Sequence, residues 1–204
     1  MSYRPAMLDQ KIANSDSAET SANGLTTEDW LALARETLIK EGVDAVKIDR
    51  LAKMAGVTRG GFYWRFKSRN DLLDQLLEDW RATNTAPILE TLEGDASPEV
   101  RIRNLFQLWI EEQRYKPDYD LAVRGWAAVS PRVAEIVREV DEIRVGALRR
   151  LFCDSGYDEA EAEVRARITY YHQVGYYAMG VSESTTIRRD LSPLYYSVLT
   201  GFPH

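Results

Sequence analysis

The sequence predicts an all-α protein of about nine helices. Apolar residues recur at helical spacing along most of the chain, helix start and stop residues bound those stripes, and no segment shows the strict alternation of a half-buried strand. Thr26 with Asp29 three residues on is the Asp form of a capping box, and Leu31, Ala34 and Leu38 follow on one face until Gly42 stops the helix. Ile48, Leu51, Ala52 and Ala55 repeat the stripe and Gly56 ends it. Thr58 then caps a short helix, with Val57 and Phe62 as a hydrophobic staple and Phe62 and Phe66 facing inward together. Ser68 heads the next, which carries Leu72, Leu73, Leu76, Leu77 and Trp80. Ser97-Pro98 and Ser130-Pro131 each place a cap residue before proline at the first helical position, where its missing N–H costs nothing. Pro117-Asp118 breaks the first of these runs and Ser155-Gly156 ends the second. Asp158 with Glu161 opens a long helix through about Met179, and Ser192-Pro193 is the expected start of a last one.

The composition sets outer bounds. The chain has 204 residues, 45% hydrophobic and 28% charged, enough to bury a core without disulfides. A single cysteine, Cys153, excludes an intramolecular disulfide framework and a Cys-rich zinc site. His172 and His204 are too few for a histidine metal centre, so neither a metal site nor a cofactor is expected. No apolar run approaches the roughly 18–20 residues of a membrane span, and no basic-then-apolar leader opens the chain, so a cytoplasmic setting is expected. Residues 1–24 are rich in Ser, Asn and other polar residues and are expected to form a flexible arm. A carboxylate di-iron bundle would need Glu-x-x-His pairs, yet Thr169 stands three residues before His172. No phosphate-binding glycine loop or nucleophile elbow appears either, and no catalytic residue is assigned.

Charge is unevenly distributed. The formal net charge is −6, yet between Lys47 and Arg69 the positive residues Lys47, Arg50, Lys53, Arg59, Arg65, Lys67 and Arg69 face only Asp49. A compact basic patch on an acidic body suits a nucleic-acid-binding module joined to a part with another role. The plain alternative is a solvated positive face.

Within that patch, Gly60 and Gly61 stand inside the short helix, where each costs roughly 1 kcal/mol relative to alanine. A helix pressed against a phosphate backbone gains from that loss, because absent side chains permit close approach. Tyr63 and Trp64, expected on the outward side beside Arg59, Arg65 and Lys67, suit contacts to phosphate, sugar and thymine methyl groups. The spacing is that of a helix-turn-helix, in which the second helix presents its N-terminal half to the major groove.

The run AVKIDRLAKMAGVTRGGFYWRFKSRNDLLDQLL resembles the N-terminal DNA-binding domain of TetR-family transcriptional regulators over about residues 26–80. That resemblance implies a helix-turn-helix domain over 25–80 and a C-terminal helical domain over 81–204 for regulation and dimerisation. It implies a homodimer on a pseudo-palindromic double-stranded DNA operator, acting as a repressor released by a small-molecule effector. Carried over by position, Lys47, Thr58, Arg59, Gly60, Tyr63, Trp64 and Lys67 fall where the family touches DNA. Lys47 stands where a capping Ser or Thr is usual; it can meet a phosphate but cannot cap. Arg69 is charge-equivalent to the usual Lys. The other functional classes are a helical module that docks protein and a helical-bundle enzyme.

In the C-terminal part, Phe106, Trp109, Trp126, Tyr170, Gln173 and Tyr177 are the candidates for lining a ligand pocket, although at helical spacing each could equally be core. Tyr171, Gly175, Ala178 and Met179 share another face, whose small residues permit close helix approach and make it the candidate dimer face. His172 is expected to be a hydrogen-bonded histidine and Cys153 a small buried hydrophobe.

Overall fold

A computed structural model describes residues 24–202. The expected arm over 1–24 lies outside these residues except for Gly24, and so does His204. The described residues are helical throughout: α1 (Thr27–Glu41), α2 (Ile48–Met54), α3 (Arg59–Tyr63), α4 (Arg69–Asn84), α5 (Ala86–Leu92), α6 (Pro98–Glu111), α7 (Pro117–Val129), α8 (Pro131–Asp154), α9 (Glu159–Ala178) and α10 (Thr185–Thr200), with a 3-10 turn at Val43–Ala45. The expectation of about nine helices holds, since only Thr85, itself in the right-handed helical region, separates α4 from α5.

Local chemistry sets most boundaries. The Thr26 hydroxyl accepts from the Asp29 N–H at 3.1 Å while the Asp29 carboxylate accepts from the Thr26 N–H at 2.8 Å, a complete capping box. Ser68 and Asp158 cap α4 and α9 through one bond each, accepting from the N–H groups of Asp71 and Glu161. Each such cap stabilises its helix by about 1 kcal/mol. Gly42, at φ 82°, ends α1 in a conformation that a side chain would strain. Ser97 and Ser130 occupy cap positions before their prolines, but their hydroxyls make no cap bond.

The last helix departs from expectation. Ser192-Pro193 does not start it. α10 begins at Thr185, where the Ser184 hydroxyl accepts from the Ile187 N–H, and Pro193 lies inside it. Proline there removes the donor for the Arg189 carbonyl, and Arg189 lies on an exposed turn where water can serve that oxygen.

Two clusters of buried side chains form the core. The first joins Trp30, Leu38, Phe62, Phe66, Leu72, Leu76 and Trp80 of the N-terminal helices to Tyr119, Val123 and Trp126 of α7 and Val133, Val137 and Val140 of α8. The second holds Ile102, Leu105 and Trp109 of α6, Leu148 and Phe152 of α8, Ala162, Ala166 and Tyr170 of α9 and Tyr196 of α10. The long helix α8 serves both clusters, its first half in one and its second half in the other. α7 is fastened onto α4, as the Tyr119 hydroxyl donates to the Leu76 carbonyl at 2.7 Å and to Asp79 at 2.9 Å, while Arg35 of α1 grips Asp79 through two nitrogens.

Where the two clusters meet, charge is buried. Arg144 of α8 is 0% exposed and Asp120 of α7 only 3%. Arg144 Nη1 donates to Asp120 Oδ1 at 3.0 Å and to the Tyr170 hydroxyl at 3.0 Å, and its other nitrogens reach Thr85 Oγ1. Asp120 also accepts from Trp80 Nε1 at 3.0 Å and Arg124 Nε at 2.9 Å. Arg124 in turn meets Asp141, which accepts from the Tyr170 hydroxyl at 2.6 Å. One polar network thus links α4, the α4–α5 joint, α7, α8 and α9. Burial raises the Asp120 carboxyl, but the Arg144 and Arg124 guanidiniums outweigh it and hold the group below the usual carboxylate value.

Candidate nucleic-acid interface and ligand cleft

α3 is anchored by Phe62, and α2 by its own buried Leu51 and Ala52. The Phe62 ring is fully buried, edge-on to Trp30 at 5.3 Å and stacked on Phe66 at 5.1 Å. With Phe62 and Phe66 anchored inward, the neighbours between them must point out. Tyr63 is 52% exposed and Trp64 88%, the latter with almost no cover from its own molecule. α3 is only five residues long, so Trp64 stands at its C-terminal cap and Lys67 in the link beyond it. The expected face is therefore a short turn of helix plus the bend that follows.

Thr58 occupies the cap position of α3, but its hydroxyl makes no cap bond, contrary to the sequence-based expectation, and stays free at the surface. Lys47 precedes α2 in extended conformation, exposed and without a cap bond, as its side chain dictates. The Lys67 N–H donates to Asp71 at 2.7 Å, while its ammonium has no ion-pair partner among the described residues. Arg59 pairs across to Asp49 of α2 at 2.8 Å. The Tyr63 hydroxyl and that carboxylate raise the Arg59 guanidinium further above its ordinary value. The pair is exposed and so contributes little, which leaves Arg59 able to exchange its partner for a phosphate or a base.

Other basic residues prove structural. Arg69 donates to the Val46 carbonyl at 2.6 Å and the Val43 carbonyl at 2.7 Å, clamping the turn between α1 and α2. Arg65, still exposed, reaches the Leu25 carbonyl at 3.3 Å, and Asp74 pairs with Arg132. Neither glycine of α3 is demanded from within. A Cβ on Gly61 would meet nothing within 4 Å, and one on Gly60 would make an ordinary contact with Thr58 at 3.5 Å.

A narrow cleft that encloses about 40 Å³ and opens to solvent lies between α6, α9 and α10. Phe106, Trp109, Gln173 and Tyr176, an aromatic the sequence also offers for a cavity wall, line it, together with His172, Arg188 and Tyr195, which are not among the pocket residues expected from the sequence. His172 and Tyr176 stand four residues apart on α9, and that spacing was the available signal. Trp126 and Tyr170 are not brought to the cleft: Trp126 packs in the first core cluster, and the Tyr170 hydroxyl is taken up by Arg144, Arg124 and Asp141. Tyr177 stands behind the wall, where it bonds the Trp109 carbonyl and Glu112, each at 2.9 Å. His172 makes no side-chain hydrogen bond among the described residues; its ring lies 4.8 Å from that of Tyr195, and burial lowers its proton affinity. Among the described residues no three His, Cys, Asp or Glu side chains gather as metal ligands, and no helix is long and apolar enough to cross a membrane.

Residues 31–76 match the family model of bacterial regulatory proteins, tetR family. The HTH-type transcriptional regulator AcrR of Shigella flexneri is 38% identical over 53 residues, which cover 26% of this chain and 25% of that protein. SrpR of Pseudomonas putida, another HTH-type transcriptional regulator, is 32% identical over 74 residues, covering 36% of this chain and 31% of that one. The chain thus spans only about a quarter to a third of these relatives in the matched region. Likeness of fold extends much further. GusR of Salmonella enterica superposes with a TM-score of 0.67 at 17% identity over 86% of this chain and 93% of its own. FadR of Bacillus subtilis in complex with stearoyl-CoA does so with 0.61 at 17% identity over 88% and 100%. The N-terminal segment matches the tetR family model, and the described chain shares its fold with these solved structures.

Proposed function

We propose that this chain, tetR-like in its N-terminal segment, is a homodimeric DNA-binding transcriptional regulator, a repressor that leaves a palindromic operator when a small molecule binds its C-terminal part. The observation that carries the reading is the exposed Tyr63-Trp64 couple beside two glycines and the exposed cations Lys47 and Lys67, which have no ion-pair partner among the described residues. Large aromatics left bare on a basic surface are costly to a lone protein and useful against a duplex. Residues 25–80 form the head and 81–204 the body that pairs and senses. Pairing falls to the outer faces of α9 and α10. Val164, Ile168, Tyr171 and Met179 on one and Ile187, Leu194 and Val198 on the other are all exposed apolar groups on adjacent helices. A self-complementary patch of this kind suits a two-fold dimer, and two heads so related read half-sites about 34–36 Å apart or a multiple of it.

The test is selection of duplexes from a random pool by the full-length protein. A palindrome is expected, with log affinity falling steeply against log salt at about 0.9 per phosphate neutralised. A flat salt dependence, or enrichment of nothing above the input pool, overturns the reading. The glycines supply a second check. Gly60→Ala with Gly61→Ala should raise the melting temperature by about 2–8 °C, since helix propensity improves by roughly 1–2 kcal/mol and no internal contact opposes it. The same variant should lose operator affinity. Stabilisation with unchanged affinity would show that the backbone of α3 does not approach the duplex closely.

A further inference from the structure

The cleft between α6, α9 and α10 is chemically particular. Its walls are rings: Phe106 and Trp109 on one side, His172 and Tyr176 on α9, Tyr195 on α10. Set among them is Gln173, only 7% exposed, whose Nε2 has no hydrogen-bond partner among the described residues. An unsatisfied buried amide donor is a standing cost to the fold, and it is relieved by an occupant that brings an acceptor.

The charges around the cleft narrow the occupant further. Arg188 is the cation at its edge, but its guanidinium is spent on Glu112, on the Trp109 carbonyl at 2.8 Å and on the Tyr177 hydroxyl at 3.0 Å. Glu112 is itself held in the left-handed region at φ 54°, so these bonds also secure a strained cap of α6. Glu183 takes the Tyr176 hydroxyl at 3.0 Å through one oxygen and keeps the other for a donor. An anion would meet Glu183 with no free cation to receive it.

We propose that this cleft binds an uncharged aromatic carbonyl compound whose ring parts the aromatic walls, its carbonyl accepting from Gln173 and a hydroxyl donating toward Glu183. The assignment rests on the reading of the C-terminal part as an effector-binding body and gives that effector a chemical class. The cleft is walled by α9 and α10, whose outer faces carry the pairing surface. A ligand that wedges them changes how two copies dock, and with that the spacing of the heads.

The test is calorimetric titration of the full-length protein with 4-hydroxyacetophenone, 4-ethylphenol and 4-hydroxybenzoate. The first two share ring and hydroxyl and differ by carbonyl against methylene; the third adds a charge. The ketone should bind about tenfold or more tighter than the ethylphenol, and the benzoate weakest of the three. Gln173→Leu should erase the preference for the ketone without lowering the melting temperature, because it removes an unpaired donor. If that variant fails to fold, Gln173→Met, which keeps the side-chain length, serves instead. Equal affinity of ketone and ethylphenol, a preference that survives the Gln173 substitution, or no binding of any of the three at millimolar concentration overturns the proposal. Duplex affinity is measured alongside. Ketone binding that leaves it unchanged overturns the effector reading and leaves the assignment of the cleft standing.

Discussion

Asp120→Ala is expected to destabilise the protein by about 3–5 kcal/mol, the usual cost of stripping one partner from a buried ion pair. Arg144 would remain 0% exposed with only the Thr85 and Tyr170 hydroxyls to serve it, and the Trp80 N–H would lose its acceptor as well. Against a total stability of roughly 5–15 kcal/mol the loss is large. Asp120→Leu combined with Arg144→Met removes both charges and should cost less than Asp120→Ala alone, because no uncompensated ion is left behind. Urea unfolding of the three proteins measures this. A cost below about 1 kcal/mol for Asp120→Ala would mean that water reaches Arg144 and the site is not dry.

The same pair sets a pH dependence. The Asp120 carboxyl is held below its ordinary 3.8 by Arg144 and Arg124 despite its burial. A group depressed on folding contributes stability that is complete above the unfolded value and lost as pH falls through the folded one. Stability of the wild-type protein should therefore decline from about pH 4 downward, and the doubly substituted protein should lack that part of the decline. Measuring unfolding free energy across the acid range checks it; identical slopes in both proteins would remove Asp120 from the account.

Much of the fold was legible because it is written locally. The Thr26–Asp29 box, the Ser68 and Asp158 caps and the Gly42 stop each depend on residues within one turn of each other. What escaped depends on distance along the chain. Asp120 and Arg144 read as ordinary helix charges until α7 and α8 are laid together. Arg69 reads as one more cation of the basic patch until the turn at Val43–Ala45 folds over it. Periodicity shows which residues share a face of α9, but not what lies against that face. Tyr170 is spent on a polar network, while His172 and Tyr176, on the next face round, open into the cleft. Pro193 misled for the opposite reason: a strong local start signal lost to a helix already begun at Ser184.

The interface predicted for α3 can be challenged most sharply at Tyr63 and Lys67. Replacing both with alanine should lower operator affinity at least about a thousandfold, to the level of non-specific binding. Both side chains project from the surface, at the end of α3 and in the bend beyond it, and neither belongs to the buried core. The fold should survive, because Phe62 and Phe66, which anchor α3, are untouched. A dimer presents each residue twice, so Lys67→Ala alone should reduce the salt slope by about 2, one for each phosphate no longer neutralised. Tyr63→Ala alone should weaken binding with little change in slope, since a phenol releases no counterion. Circular dichroism and the melting temperature guard against trivial unfolding. Full operator affinity in the folded double variant would remove this face from DNA recognition, and the exposed couple Tyr63-Trp64 would then need a protein partner instead.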